Sequence, residues 1–90
     1  MQQAEVTLLN PSGLHARPAA QFVKAASQFK DTSIKIIKAE REIDAKSIIG
    51  IMSLGATKGS LLTICAEGAA ENEALNTLVD LIANGFGEGA

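Results

Sequence analysis

The sequence predicts an α+β fold, a two-layer open-faced sandwich with a four-stranded antiparallel sheet and three helices on one face. Two observations indicate it: seven short segments alternate between strand and helix periodicity in the order β-α-β-β-α-β-α, and the chain has only 90 residues, of which 47 % are hydrophobic. A chain of this size forms one small domain. We therefore expect a single domain over residues 1–90, with the glycine-rich residues 85–90 as a frayed tail.

The first strand and the first helix flank a loop signal. Apolar and polar residues alternate over residues 3–9, which is strand periodicity, and residues 10–13 read Asn-Pro-Ser-Gly. Apolar residues then recur at three- and four-residue spacing from residue 16 to 29, which predicts an amphipathic helix. Pro18 falls in the first turn of this helix, where its missing N–H costs nothing.

A hairpin is predicted next. Residues 33–38 are rich in isoleucine, a β-branched residue, and residues 41–45 place Ile43 between Glu42 and Asp44, so both segments read as strands. The two residues between them, Ala39 and Glu40, lack the Asn-Gly pair that usually makes such a turn.

A short second helix follows the hairpin. Ser47 precedes an apolar run as an N-cap, and Gly55 ends the run. Gly50 inside this helix is unfavourable, so it indicates either close packing or a functional surface.

The last two elements are a strand and a helix. The apolar residues 60–66 predict a buried strand, in which we expect Cys65 to be a buried, unreactive thiol. Residues 70–84 predict a helix with one apolar face, and Glu71 and Glu73 in its first turn suit the helix dipole.

Composition and charge exclude several function classes. The net charge is −2, and the chain has no Trp or Tyr, so we expect no nucleic-acid partner. The apolar runs are too short to cross a membrane, and one cysteine with one histidine makes a poor metal site, so we expect a cytoplasmic protein without metal or cofactor. All eight basic residues lie in residues 1–58, which would leave a positive face for a negatively charged ligand.

The chemistry-bearing segment surrounds the single histidine. His15 lies at the predicted start of the first helix, where free backbone N–H groups and the helix dipole favour an anion. Arg17 adds a guanidinium suited to phosphate, Ser12 adds a hydroxyl, and Gly13 permits a close approach. These groups predict a phosphohistidine site. The alternatives are an ordinary helix-start histidine, or a site that binds an anion without reacting.

Two long motifs carry a family resemblance. The segment Pro11-Ser-Gly-Leu-His-Ala-Arg-Pro-Ala-Ala20 resembles the active-site motif of the HPr family, the histidine-containing phosphocarriers of the bacterial phosphoenolpyruvate:sugar phosphotransferase system. The segment Lys46-Ser-Ile-Ile-Gly-Ile-Met-Ser-Leu-Gly55 resembles the regulatory-serine segment of that family. The resemblance covers essentially the whole chain and implies an HPr-like fold.

The resemblance also implies a relay. In it, His15 accepts a phosphoryl group through Nδ1 from phospho-enzyme I and passes it to sugar-specific IIA domains. Arg17 balances the charge during transfer, the backbone amides of Ala16 and Arg17 support the phosphoryl group, and Ser12 lines the site. The resemblance thus implies a carrier rather than an independent enzyme.

The second motif implies regulation and a docking surface. Ser47 matches the serine that an ATP-dependent HPr kinase/phosphorylase modifies, and the phosphorylated form can bind a transcriptional regulator; the alternative is a plain N-cap serine. A carrier that serves several partners is expected to be a monomer. The positions that match the family's docking surface for enzyme I and IIA are Ala20, Gln21, Lys24 and Ser27 in the first helix, and Lys46, Ile48, Ile49 and Met52 around the second.

Three other functions stay open on the sequence. The chain could be a regulatory binding module whose main output is phosphorylated Ser47, or a paralogue in a nitrogen-linked phosphotransfer branch. A small hydrolase of acyl phosphates that uses Arg17 and the loop amides is the third. Turnover without partner proteins would identify the hydrolase.

Overall fold

The computed structural model describes residues 1–87, and its elements follow the predicted order. The strands are β1 (Gln2–Thr7), β2 (Thr32–Lys38), β3 (Arg41–Asp44) and β4 (Leu61–Gly68), and the helices are α1 (Ala16–Ser27), α2 (Ile48–Ser53) and α3 (Glu71–Ala83). The four strands form one antiparallel sheet in the order β1-β4-β2-β3. No helix within residues 1–87 has the length and apolar character that a membrane span requires.

The register of the sheet directs one set of side chains towards the helices. Ala4 lies opposite Ile64, and Ile64 in turn lies opposite Ile36, so that residues two apart on each strand share the inner face. Phe22 of α1 and Leu78 of α3 are fully buried in the same core. The α+β open-faced sandwich is therefore confirmed.

The other face of the sheet is open to solvent, and Cys65 lies on it. Cys65 is half-buried, opposite Gln3 on β1 and Lys35 on β2. Its Sγ–H donates to Oε1 of Gln3 at 3.6 Å. The expectation of a buried thiol is wrong because β4 alternates: Ile64 and Ala66 enter the core, and the residue between them faces outward.

The hairpin between β2 and β3 closes through a left-handed turn. Lys38 lies opposite Arg41, and the two residues between them, Ala39 and Glu40, have φ values of 48° and 72°. The predicted hairpin is confirmed. It adopts a backbone conformation that Asn-Gly would adopt with less strain.

The chain beyond α3 differs from the expected frayed tail. Gly85–Gly87 form a short turn in which Phe86 is only 5 % exposed and joins the core. Gly85 and Gly87 have φ values of 63° and 78°, which lets the chain fold back so that Phe86 reaches the core. Residues 88–90 of the expected tail lie outside the described residues.

Candidate functional site

The segment that leads into α1 is docked on the chain that follows α2. The N–H of Leu14 donates to the carbonyl oxygen of Ala56 at 3.0 Å. Gly13 has a φ of +62°, and a Cβ added there would lie 2.5 Å from the same oxygen and 2.9 Å from Cα of Thr57. Only glycine permits this approach, so Gly13 fixes the position from which His15 enters the helix.

A buried asparagine closes the same loop. The side chain of Asn10 is fully buried, and its Nδ2 donates to the carbonyl oxygen of Gly13 at 2.8 Å and to Oγ of Ser12 at 3.3 Å. The N–H of Gly13 donates back to the carbonyl oxygen of Asn10 at 3.1 Å. Sequence reasoning missed this supporting role, although an asparagine at the head of a loop signal is typical of side chains that bond nearby backbone groups.

His15 is the N-cap residue of α1, but its imidazole does not cap the helix. Its backbone is extended, its side chain makes no capping hydrogen bond, and its carbonyl oxygen accepts the first helical bond from Ala19 at 2.9 Å. Helix geometry leaves the N–H groups of Ala16 and Arg17 without an intrahelical acceptor, and Pro18 has no N–H. An exposed imidazole thus stands beside two amides at the positive end of the helix dipole.

The exposure of these residues suits chemistry with a partner. His15, Ala16 and Arg17 are exposed, whereas Pro18 and the following Ala19 are buried and anchor the turn. The imidazole of His15 therefore lies on a fixed backbone with its surface open. Such a site can take up an anion delivered from outside and can release it the same way.

A shallow depression joins His15 to the end of α2. Its volume is about 240 Å³, and it is lined by Leu14, His15, Met52, Gly55, Ala56 and Thr57. The depression brings the histidine motif and the second motif into one surface.

The helix α2 carries the second motif as the sequence predicted. Oγ of Ser47 accepts from the N–H of Gly50 at 3.1 Å, so Ser47 is its N-cap. A Cβ on Gly50 would lie 2.5 Å from Cγ2 of Ile43, which supports the close-packing interpretation of this glycine. Close packing against β3 thus explains a residue that helix propensity disfavours.

An apolar patch lies on the solvent side of α2. Ile48, Ile49 and Met52 are 40 %, 80 % and 45 % exposed, while Ile51 of the same helix is fully buried. Of the matching positions on α1, Ala20, Lys24 and Ser27 are exposed and Gln21 is half-buried. Because α1 packs against α2 and Met52 borders the depression at His15, the patch and the histidine share one surface.

Lys46 differs from its expected place on the docking surface. It is half-buried, and its Nζ donates to the carbonyl oxygens of Phe29 and Thr32, each at 2.8 Å. The ammonium group is therefore held by the turn that follows α1 and by the start of β2. Of the two lysines on the expected docking surface, Lys24 is the exposed one.

The fold and the site together define a class: a small open-faced α+β protein with an exposed histidine at a helix N-terminus. The family model described as the PTS HPr component phosphorylation site matches residues 2–84. The chain is 44 % identical over 89 residues to the phosphocarrier protein HPr of Cupriavidus necator, and the match covers 99 % of both proteins. The chain therefore belongs to the HPr family of phosphocarriers of the phosphotransferase system.

Two solved structures agree with this assignment. HPr-C-His from Thermoanaerobacter tengcongensis is 47 % identical, with a TM-score of 0.95 over the whole of both chains. An HPr dimer from the same organism is 48 % identical, with a TM-score of 0.77 over 98 % of this chain and 100 % of that one.

Proposed function

We propose that this chain accepts a phosphoryl group on Nδ1 of His15 from phospho-enzyme I and passes it to sugar-specific IIA domains, as a monomer in the cytoplasm. The observation that carries the proposal is the exposed imidazole at the N-terminus of α1, with the amides of Ala16 and Arg17 beside it. The arrangement supplies a phosphoryl acceptor and a binding surface. Turnover therefore requires the two partner proteins.

The transfer step needs the histidine tautomer with its proton on Nε2. The Nδ1 lone pair of His15 attacks phosphorus, the bond from phosphorus to the enzyme I donor breaks, and its electron pair leaves with the donor. The reverse chemistry, with a IIA acceptor as the nucleophile, discharges the group. Carrier function requires that the phosphohistidine formed between the two steps is not so stable that it cannot pass the phosphoryl group on.

The surrounding groups suit a phosphate that is held and then passed on. In the proposed site the N–H groups of Ala16 and Arg17 and the guanidinium of Arg17 stabilise the developing charge, and the hydroxyl of Ser12 is a further group near the phosphate. Each interaction with an exposed helix end contributes about 0.3–1 kcal/mol. Contributions of that size stabilise a phosphohistidine without trapping it.

The docking surface combines the apolar patch of α2 with α1. Ile48, Ile49 and Met52 supply exposed apolar area, and Ala20, Gln21, Lys24 and Ser27 lie along α1. Lys24 speeds encounter with acidic partners, because rim charges act mainly on association rates. Lys46 contributes to this surface through the position that it gives to the start of α2.

Phosphorylation by phosphoenolpyruvate and enzyme I tests the proposal. We expect one acid-labile phosphate by mass spectrometry, absent from His15→Ala. The absence of phosphate on folded protein, with an enzyme I that is active on another HPr, would contradict it. Enzyme I of a nitrogen-linked branch in the same assay distinguishes the paralogue. Hydrolysis of acetyl phosphate by the protein alone would instead favour the hydrolase.

We propose also that Ser47 is a regulatory phosphorylation site for an ATP-dependent HPr kinase/phosphorylase. Its Oγ already accepts from Gly50 at a helix N-cap, where the oxygens of a phosphate can replace it without disrupting α2. Phosphorylation would add about −1.5 to −2 charges beside Ile48 and Ile49. That charge would change which partners, among them a transcriptional regulator, the patch binds.

A kinase assay with a matched serine variant tests this site. We expect one acid-stable phosphate from ATP on the wild-type protein and on Ser33→Ala, and none on Ser47→Ala. Ser33 is a suitable control because it is an exposed serine on β2, away from α2. Equal incorporation into Ser47→Ala would overturn the assignment.

A further inference from the structure

Arg41 forms a two-pronged contact with the C-terminal end of α2. Its Nη1 donates to the carbonyl oxygen of Ser53 at 2.7 Å, and its Nη2 donates to Oγ of the same residue at 3.2 Å. Oγ of Ser53 in turn donates to the carbonyl oxygen of Gly50 at 2.6 Å. The final carbonyl groups of a helix lack intrahelical partners, so the guanidinium satisfies one of them and complements the negative end of the helix dipole.

The helix α2, which Arg41 contacts, is too short to be stable without contacts to the rest of the protein. Six residues are far fewer than an isolated helix needs, and Gly50 lowers the helix propensity further. Its N-terminal end is tied down because Lys46, two residues before the first helical residue, donates to two backbone carbonyl oxygens. Arg41, from the start of β3, provides the corresponding tie at the other end.

The end of α2 leads directly to the histidine segment. The residue before Ser53 is Met52, whose carbonyl oxygen accepts from Gly55 at 3.3 Å. Ala56 follows Gly55, and its carbonyl oxygen accepts the hydrogen bond from the N–H of Leu14. A shift of the end of α2 would therefore move both Met52 and the backbone that positions His15, and these two line the same depression.

We propose that Arg41 is a positioning residue for partner recognition, acting through Ser53 on the surface formed by Met52 and the His15 segment. This inference rests on the proposed function, because recognition is the step that it affects. Arginine is required for the full effect, since its planar fork reaches two acceptors in fixed geometry and a lysine ammonium reaches them as a point donor.

Transfer kinetics of three variants test the role. We expect Arg41→Gln to raise the KM of enzyme I for this protein about three- to tenfold with kcat changed less than about twofold, as loss of exposed charged hydrogen bonds predicts. Arg41→Lys should recover part of the loss. Lys38→Gln removes the same charge from the position opposite Arg41 in the hairpin, and it should leave KM unchanged.

Hydrogen exchange of the Leu14 amide provides a readout that needs no partner. Its bond to Ala56 should open more often in Arg41→Gln, with exchange about tenfold faster, while amides in the centre of β4 keep their rates. Unchanged KM and unchanged Leu14 exchange in folded Arg41→Gln would overturn the proposal. If the wild-type protein accepts no phosphate, the proposed function fails, and Leu14 exchange still decides whether Arg41 positions the segment.

Discussion

The hydrogen bond from the N–H of Leu14 to the carbonyl oxygen of Ala56, at 3.0 Å, joins the histidine motif to the end of the second motif. The two residues are far apart in sequence, yet the bond makes their segments neighbours in one surface. Each of the two bonded residues directly follows a glycine with positive φ. Gly13 precedes Leu14, Gly55 precedes Ala56, and both glycines have a φ of +62°. Backbone contacts therefore fix the position of the candidate site around His15.

Gly13→Ala should lower stability more than Gly55→Ala does. Both substitutions place a side chain in the left-handed region, at a cost of about 1–2 kcal/mol. At Gly13 the new Cβ would also overlap the carbonyl of Ala56, adding about 1–3 kcal/mol, whereas within residues 1–87 no atom beyond the two chain neighbours lies within 4 Å of a Cβ at Gly55. Urea unfolding measures both variants; equal losses would show that the docking of this loop contributes nothing.

The strained hairpin turn should accept Asn-Gly with a gain in stability. The double substitution Ala39→Asn and Glu40→Gly places residues that favour positive φ at two positions where φ is 48° and 72°. We expect the free energy of unfolding to rise by about 1–2 kcal/mol. Glu40→Gln, which removes the charge and keeps the strain, is the control, and a matching gain from it would assign the effect to charge instead.

Glu71 should stabilise the folded protein at neutral pH, and this contribution should be lost in acid. The N–H of Gly68, at 3.3 Å, and the N-terminal ammonium of Met1, at 3.2 Å, hold the pKa of Glu71 below its usual value of 4.5. A lowered pKa in the folded state contributes stability above pH 4.5, and this contribution is lost as the pH falls through the folded-state pKa. Wild-type protein should therefore exceed Glu71→Gln in stability at neutral pH and converge with it in acid.

The control for this pH dependence is Glu73→Gln. It removes a carboxylate from the same helical turn and leaves the contact of Glu71 with Gly68 intact. Thermal unfolding from pH 7 to pH 2 measures all three proteins. A constant difference between wild type and Glu71→Gln across this range would contradict the assignment.

Thr32 should stabilise the start of α3 from a distant strand. Ala70, the N-cap of that helix, makes no side-chain cap, and its N–H donates to the buried Oγ1 of Thr32 at 3.1 Å. Thr32→Val keeps the shape and removes the acceptor, so we expect a loss of about 1–3 kcal/mol in urea unfolding. Thr63→Val on the open face should change stability by less than about 0.5 kcal/mol, and equal effects would reject the cap.

The sequence carried enough information to predict the fold and the position of Ser47 at the start of α2. Periodicity predicted all seven elements, and the N-cap geometry of Ser47 follows from local backbone chemistry. Cys65 was misplaced because an apolar run conceals which of its residues face outward until the pairing of β4 with both neighbours is known. Phe86 was missed because a glycine-rich segment gives no periodic signal, although its glycines allow the chain to return to the core.

Contacts between distant segments account for the remaining differences. The ammonium of Lys46 reaches Phe29 and Thr32, and Arg41 reaches Ser53, which no spacing along the chain predicts. Such contacts depend on the order of strands in the sheet rather than on local pattern. They turn two residues that look like ordinary surface charges into supports for α2.

Discharge of the phosphorylated protein into a IIA domain tests the central claim most directly. Protein labelled on His15 with radioactive phosphate is separated from enzyme I and mixed with IIA, and the label on each protein is followed over time. We predict that label leaves this chain and appears on IIA in equal amount, and that no label is available from His15→Ala. Label that stays on the chain, or that is released only as inorganic phosphate, would contradict the carrier function.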